Sequence, residues 1–204
     1  MKRFKIFSIL FCCLAAVAFT SCLNDDNDKG LTPEEKHQAF LQINGNYDTK
    51  IIYYSKYDAT GPGSTNKLDT LAATMKTKND SVMQFELPSK ALVTLMKDAT
   101  LSQAIVTQYP MVSVNAKIGF YKQNPPAFLI NPEPVQFNVN NADGSVTDIR
   151  IVFAGNYFSS FGAYNAEKRT LGVNLIIAGV YRNSQIDRDL LPAGLPVLVV
   201  GKRR

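Results

Sequence analysis

The sequence predicts an all-β, antiparallel domain with one or two short helices. Three observations carry that expectation. Val112, Val114, Ala116, Ile118 and Phe120 alternate with Ser113, Asn115, Lys117, Gly119 and Tyr121, the period of two of a strand with one buried face. Val135, Phe137 and Val139 repeat the pattern and Ile149, Ile151 and Phe153 answer it across Asn140-Asn141-Ala142-Asp143-Gly144-Ser145, whose Asp-Gly is a hairpin signal. Helical spacing is confined to two short stretches.

The first helix is predicted where Thr32-Pro33-Glu34-Glu35 opens an apolar side made of Phe40, Leu41 and Ile43. Thr32 can cap, Pro33 suits the first helical position and Glu35 completes a capping box; Asn44-Gly45 end the helix. Strands follow at Tyr47–Lys56, rich in Tyr and Ile, at Leu71–Lys76 and at Val82–Leu87, the last two joined near Lys78-Asn79-Asp80. Ser89 to Ile105 places Leu92, Leu95, Met96 and Ala99 at helical spacing after Pro88, which predicts one helix packed on the sheet or closing one end of it. A long apolar strand runs from Leu171 to Tyr181, and Leu195–Val200 closes the chain.

Strands at this spacing fit a closed barrel or a two-sheet β-sandwich. The short helix leading into Gly45-Asn46-Tyr47 resembles the Gly-x-Trp or Gly-x-Tyr start of lipocalin-like (calycin) barrels, and that resemblance favours the barrel over the sandwich.

Ahead of the domain, Lys2, Arg3 and Lys5 precede an apolar run from Ile6 to Phe19, the charged start and apolar middle of a secretory signal. The run is 14 residues long, whereas a helix crossing a bilayer needs ~20. The exit, Ala18-Phe19-Thr20-Ser21-Cys22, resembles the lipobox of bacterial lipoproteins. A lipobox usually carries Leu three residues before its cysteine; here Phe19 stands there, bulkier but equally apolar. The resemblance implies cleavage after Ser21 and lipid attachment at Cys22, hence a membrane anchor. Acyl chains contribute ~0.8 kcal/mol per buried methylene, so two or three of them anchor effectively permanently.

The expected organisation is a signal peptide over 1–21, the lipidated Cys22 with a flexible acidic tether over 22–30, and one β-rich domain over 31–204. Leu23-Asn24-Asp25-Asp26-Asn27-Asp28-Lys29-Gly30 is too polar to bury a core. It resembles the acidic export signal behind the cysteine of surface lipoproteins from Bacteroides-type bacteria, and the chain as a whole resembles lipoproteins of this length from that group. The resemblance implies an outer-membrane address, with display on the cell surface, and carries over no catalytic residue.

Charge and chemistry exclude several classes. The full chain has a net charge of +5, but removing the leader lowers the positive residues from 22 to 19 against 17 acids, leaving +2. The one dense basic cluster is Lys202-Arg203-Arg204, a solvated end and no nucleic-acid stripe. No cysteine follows Cys22, and His37 is the only histidine, so neither a disulfide nor a thiolate or multi-histidine metal site is expected. Gly-x-Ser-x-Gly does not occur; Ser159-Ser160 lie in Phe-Ser-Ser-Phe. Gly61-Pro62-Gly63-Ser64-Thr65-Asn66-Lys67 lacks phosphate-loop spacing and reads as a surface loop. Among the acids, Glu133, Asp148 and Asp187 form no pair by spacing. The expectation is a non-enzyme without cofactor or metal.

Aromatic residues are the remaining signal. Tyr47, Tyr53, Tyr54 and Tyr57 crowd into one strand and its exit, and Tyr157, Phe158, Phe161 and Tyr164 form a second cluster that reads as a turn packed on the core. Strand tyrosines ordinarily bury the ring and keep the hydroxyl at the rim. Tyr47, Tyr53, Tyr54 and Tyr157 are the candidate ligand-binding residues, rings that would stack on a glycan or line a pocket for a small apolar molecule. The functional expectation is an anchored, non-catalytic binding module; the alternative is a structural or accessory subunit that binds an envelope protein.

Overall fold

A computed structural model describes residues 30–58, 66–155 and 160–204. The predicted signal peptide, Cys22, the tether up to Lys29, most of the Gly61–Lys67 loop and Tyr157 lie outside the described residues.

Helix α1 (Pro33–Ile43) is built as its sequence dictates. The Thr32 hydroxyl accepts from the Glu35 N–H at 3.2 Å, while the Thr32 N–H donates to Glu35 Oε2 at 2.7 Å. Eleven strands follow among the described residues: β1 (Asn46–Lys56), β2 (Lys67–Asn79), β3 (Val82–Pro88), β4 (Met111–Lys122), β5 (Ala127–Pro132), β6 (Val135–Asn140), β7 (Val146–Phe153), β8 (Phe161–Asn165), β9 (Thr170–Arg182), β10 (Gln185–Ile186) and β11 (Leu195–Arg203). Between β3 and β4 stand α2 (Lys90–Val93) and α3 (Ala99–Gln108).

Neighbouring strands pair antiparallel in the order β1-β2-β3-β4-β5-β8-β9-β11, and β11 returns to β1, so eight strands close into a barrel. The closing ladder joins residues far apart in sequence, such as Ile51 with Val199. The barrel therefore replaces the sandwich alternative. β6 and β7 extend the wall: β7 pairs the second half of β9, and β6 pairs β7.

Two local expectations are revised, and one strand was not foreseen. Ser89–Ile105 is not one helix: α2 ends at Val93, and α3 starts afresh where the Asp98 carboxylate accepts from the Leu101 N–H at 2.9 Å. An aspartate able to cap its own following turn competes with helix continuation. Phe161–Asn165, expected in a turn, is strand β8, because Gly162 lets the Phe128 ring lie against the backbone where a Cβ would sit 2.2 Å from it. Ala127–Pro132 forms β5, hidden in the sequence behind the turn residues Gln123-Asn124-Pro125-Pro126.

Inward positions fill the barrel. Tyr47, Ile51, Met83, Phe85, Phe128, Val173, Leu175 and Val199 have no solvent-exposed area. Gly201 is needed there, since a Cβ on it would meet Thr49 Cγ2 at 2.5 Å and Tyr47 Cβ at 2.8 Å. Both ends are closed. At the lower end α1 inserts the fully buried Ala39 and Ile43, held by Tyr47 Oη donating to the Ile43 carbonyl and Arg203 Nη1 donating to the Gln42 carbonyl at 3.3 Å. At the upper end α2 buries Leu92 and Val93 against β1 and β3.

Candidate functional site

The four candidate tyrosines do not meet in one place. Tyr47 and Tyr53 both point inward on β1 but lie six residues apart, about 20 Å along a strand. Tyr47 seals the lower end; burial is the main reason its phenol is held far above the ordinary 10.0, with Arg203 opposing and Tyr164 adding to the effect. Tyr53, 1% exposed, sits beneath α2, and its hydroxyl donates to Asp69 Oδ2 at 3.3 Å. Burial, then the Asp69 charge, raises its pKa as well. Tyr54 points outward, half-buried beside Tyr57 with ring centroids 5.1 Å apart, and burial followed by the neighbouring phenol raises its pKa. Tyr157 lies outside the described residues. In the second aromatic cluster Phe161 and Tyr164 occupy opposite faces of β8, outward and inward.

The space next to these rings is small. Between Tyr53, Leu92, Ile177, Leu195 and Val197 there is a gap of about 10 Å³, room for one water. A drug-sized ligand needs ~300–1,000 Å³. Among the described residues a groove of about 130 Å³ is lined by Tyr47 together with Asn46, Thr74, Met75, Lys76 and Glu86, and an open cleft of about 480 Å³ runs along Arg182–Asp189. In the latter, Arg182 pairs with Asp187 at 3.2 Å and with Asp98 at 3.6 Å.

The acids stay apart. Glu133 accepts from Asn115 Nδ2 at 3.3 Å, Asp148 from Gln136 Nε2 at 2.9 Å, and Asp187 from the Leu190 N–H at 3.0 Å. Each serves a local turn or ladder. His37 is exposed on α1, its ring 6.3 Å from that of Phe40. Among the described residues no group of three or more His, Cys, Asp or Glu converges to hold a metal ion, and no helix is long and apolar enough to cross a membrane. Ser160, 1% exposed, is structural: its hydroxyl donates to the Ala154 carbonyl at 2.7 Å and accepts from the Ile176 N–H at 3.2 Å, stapling β8 and the end of β7 to β9.

What the sequence reading missed is an outward feature. The register aligns Leu129, Phe161, Asn174, Leu198 and Ile52 in one row across β5, β8, β9, β11 and β1. Ile176, Pro196 and Val200 flank it. Leu198 is 1% and Asn174 2% exposed, although Leu198 stands outside the barrel core. The signal was present: β9 (Leu171–Ile177) and β11 (Leu195–Val200) are apolar at nearly every position instead of every second one, the mark of a strand covered on both faces.

Residues 42–182 match the family model described as a domain of unknown function (DUF4840), and the chain belongs to that family. The matched range ends with β9, whereas the barrel is closed by β11. No curated protein matches the chain.

Proposed function

We propose that this member of the DUF4840 family is a lipid-anchored, non-catalytic interaction module, tethered to the outer membrane through Cys22, that works through the outside of its barrel as an accessory subunit of an envelope protein complex. The observation that carries this reading is the filled interior. Side chains occupy the volume in which a barrel would hold a small apolar molecule, and the two inward candidates, Tyr47 and Tyr53, have no ring face left for a glycan. The reading therefore moves from an enclosed ligand to a protein partner. The partly exposed Ile52, Phe161, Ile176, Pro196 and Val200 around the buried Leu198 support it, since an outer wall with an apolar margin is suited to contact with something other than water.

The tether of nine residues from Cys22 to Gly30 reaches about 30 Å when extended, enough to let the barrel stand clear of the headgroups. Replacing Cys22→Ser is expected to move the protein from the membrane fraction to the soluble one; retention at the membrane with unchanged mass would remove the anchor from the proposal. For the partner, photo-crosslinking residues placed at Ile52 or Val200 are expected to give a discrete heavier species in intact cells, and one at Lys117 on the polar wall is not. Native mass spectrometry of the processed protein provides the opposing result. A lipid or glycan mass that is released on denaturation would restore the enclosed-ligand reading and overturn this one.

A further inference from the structure

Closing a barrel removes sheet edges, and the extension β6–β7 creates one again. Among the described residues strand β6 has a ladder partner only on its β7 side. Its sequence, Val135-Gln136-Phe137-Asn138-Val139-Asn140, alternates the strand formers Val, Phe and Val with uncharged amides and has no charge, no proline and no glycine, a composition that recruits further strands. None of the usual edge protections, a lysine, a proline or a bulge, is present in it.

Protection comes from another element. The α3 terminus lies along the open edge. Gln108 Nε2 donates to the Asn140 carbonyl at 3.0 Å, and its Oε1 accepts from the Asn140 N–H, also at 3.0 Å. One side-chain amide thus makes both hydrogen bonds that an incoming strand would make to that residue. Tyr109 Oη donates to the Asn138 carbonyl at 2.9 Å, and its ring stands edge-on to Phe137 with centroids 5.4 Å apart. We infer that Gln108 and Tyr109 are an edge guard whose role is to stop β6 from pairing with β6 of a second copy of this chain. The edge is self-complementary for that pairing: antiparallel, uncharged and presenting Gln136, Asn138 and Asn140 on its exposed side.

The test compares the processed wild-type protein with the double variant Gln108→Ala, Tyr109→Phe by sedimentation over a concentration series. The wild type is expected to stay at the mass of one chain and the variant to reach two or more. Adding Gln136→Lys, which places a charge in the freed edge, is expected to return the variant to one chain. Hydrogen exchange at the Asn140 amide should quicken by about tenfold in Gln108→Ala, the loss of one hydrogen bond. A variant that stays single, a wild type that already associates, or association that Gln136→Lys leaves intact would each overturn the inference. If the double variant does not fold, Gln108→Ala alone, which frees the Asn140 backbone and keeps the Tyr109 ring on Phe137, carries the same test.

Discussion

The wall built from β2, β3 and β4 and the wall built from β8, β9 and β11 line the same core but differ on their outer faces. On the first, Thr74, Lys76, Gln84, Glu86, Ser113, Asn115 and Lys117 point outward and bond to one another, as where Gln84 Nε2 donates to Ser113 Oγ at 2.6 Å and Lys78 Nζ to Asn115 Oδ1 at 3.2 Å. On the second, Phe161, Asn174, Ile176, Leu198 and Val200 take the equivalent positions, and none of them is exposed. Both walls alternate inward in the same way. The outward residues therefore separate a polar wall with exposed positions from a mostly apolar one whose outward positions are partly to fully buried.

The largest effect expected from breaking this contrast is at Leu198. Leu198→Asp would bury an unpaired charge and should cost ~3–5 kcal/mol in chemical denaturation. A cost near zero would mean that the outer side of β11 is open to solvent. Next comes Gly162→Ala, where the added Cβ meets the buried Phe128 ring at 2.2 Å; an expected loss of ~1–3 kcal/mol measures how rigidly the β5–β8 wall is packed.

Tyr47→Phe sharpens the comparison from the inside, which both walls share. It removes the bond to the Ile43 carbonyl and should cost ~1 kcal/mol at neutral pH. Its pH dependence has a definite sign. The folded-state pKa of Tyr47 is raised above the ordinary 10.0, so its contribution is fully present below about pH 10. As pH rises further the unfolded chain loses the proton while the folded one keeps it, and stability declines. Tyr53 and Tyr54 shift in the same direction and add to the decline. Denaturation midpoints of the wild type should fall on the alkaline side, and those of Tyr47→Phe should fall less. The smallest effect is expected at Ala72→Asp, on the exposed outer side of β2 opposite Lys50; a change within ~0.5 kcal/mol would mark that wall as the solvated one.

Much of the local structure was legible in the chain. Helix α1 begins at the Thr32 capping box and stops at Asn44, as its residues dictate, and Gly144 takes the positive φ of 84° that the Asp143-Gly144 hairpin needs. Strands β1, β3, β4, β6 and β7 follow their apolar period, and β9 and β11 follow their nearly unbroken apolar runs. The misses share a cause. β5 and β8 are short and hold glycine, proline or small residues, so their strand character comes from pairing with each other and with β4 on one side and β9 on the other. The β9–β10 turn at Asn183-Ser184 takes positive φ at both residues, 49° and 68°, which neither residue type demands. As for the candidate site, tyrosine content alone does not say which face a ring occupies. Tyr53 and Tyr54 are adjacent, and one is core while the other is outer wall.

By itself, then, the sequence determined the class of the fold, its helix start and its hairpin turn, because each rests on residues within a few positions of one another. Tertiary structure alone decided that the sheet closes, that its interior is full and that β6 needs Gln108 and Tyr109 beside it. Those outcomes depend on contacts across 30 to 150 residues, such as Gln108 with Asn140 and Ile51 with Val199. No local period encodes them, since they are selected by which apolar faces can be buried together once the whole chain has collapsed.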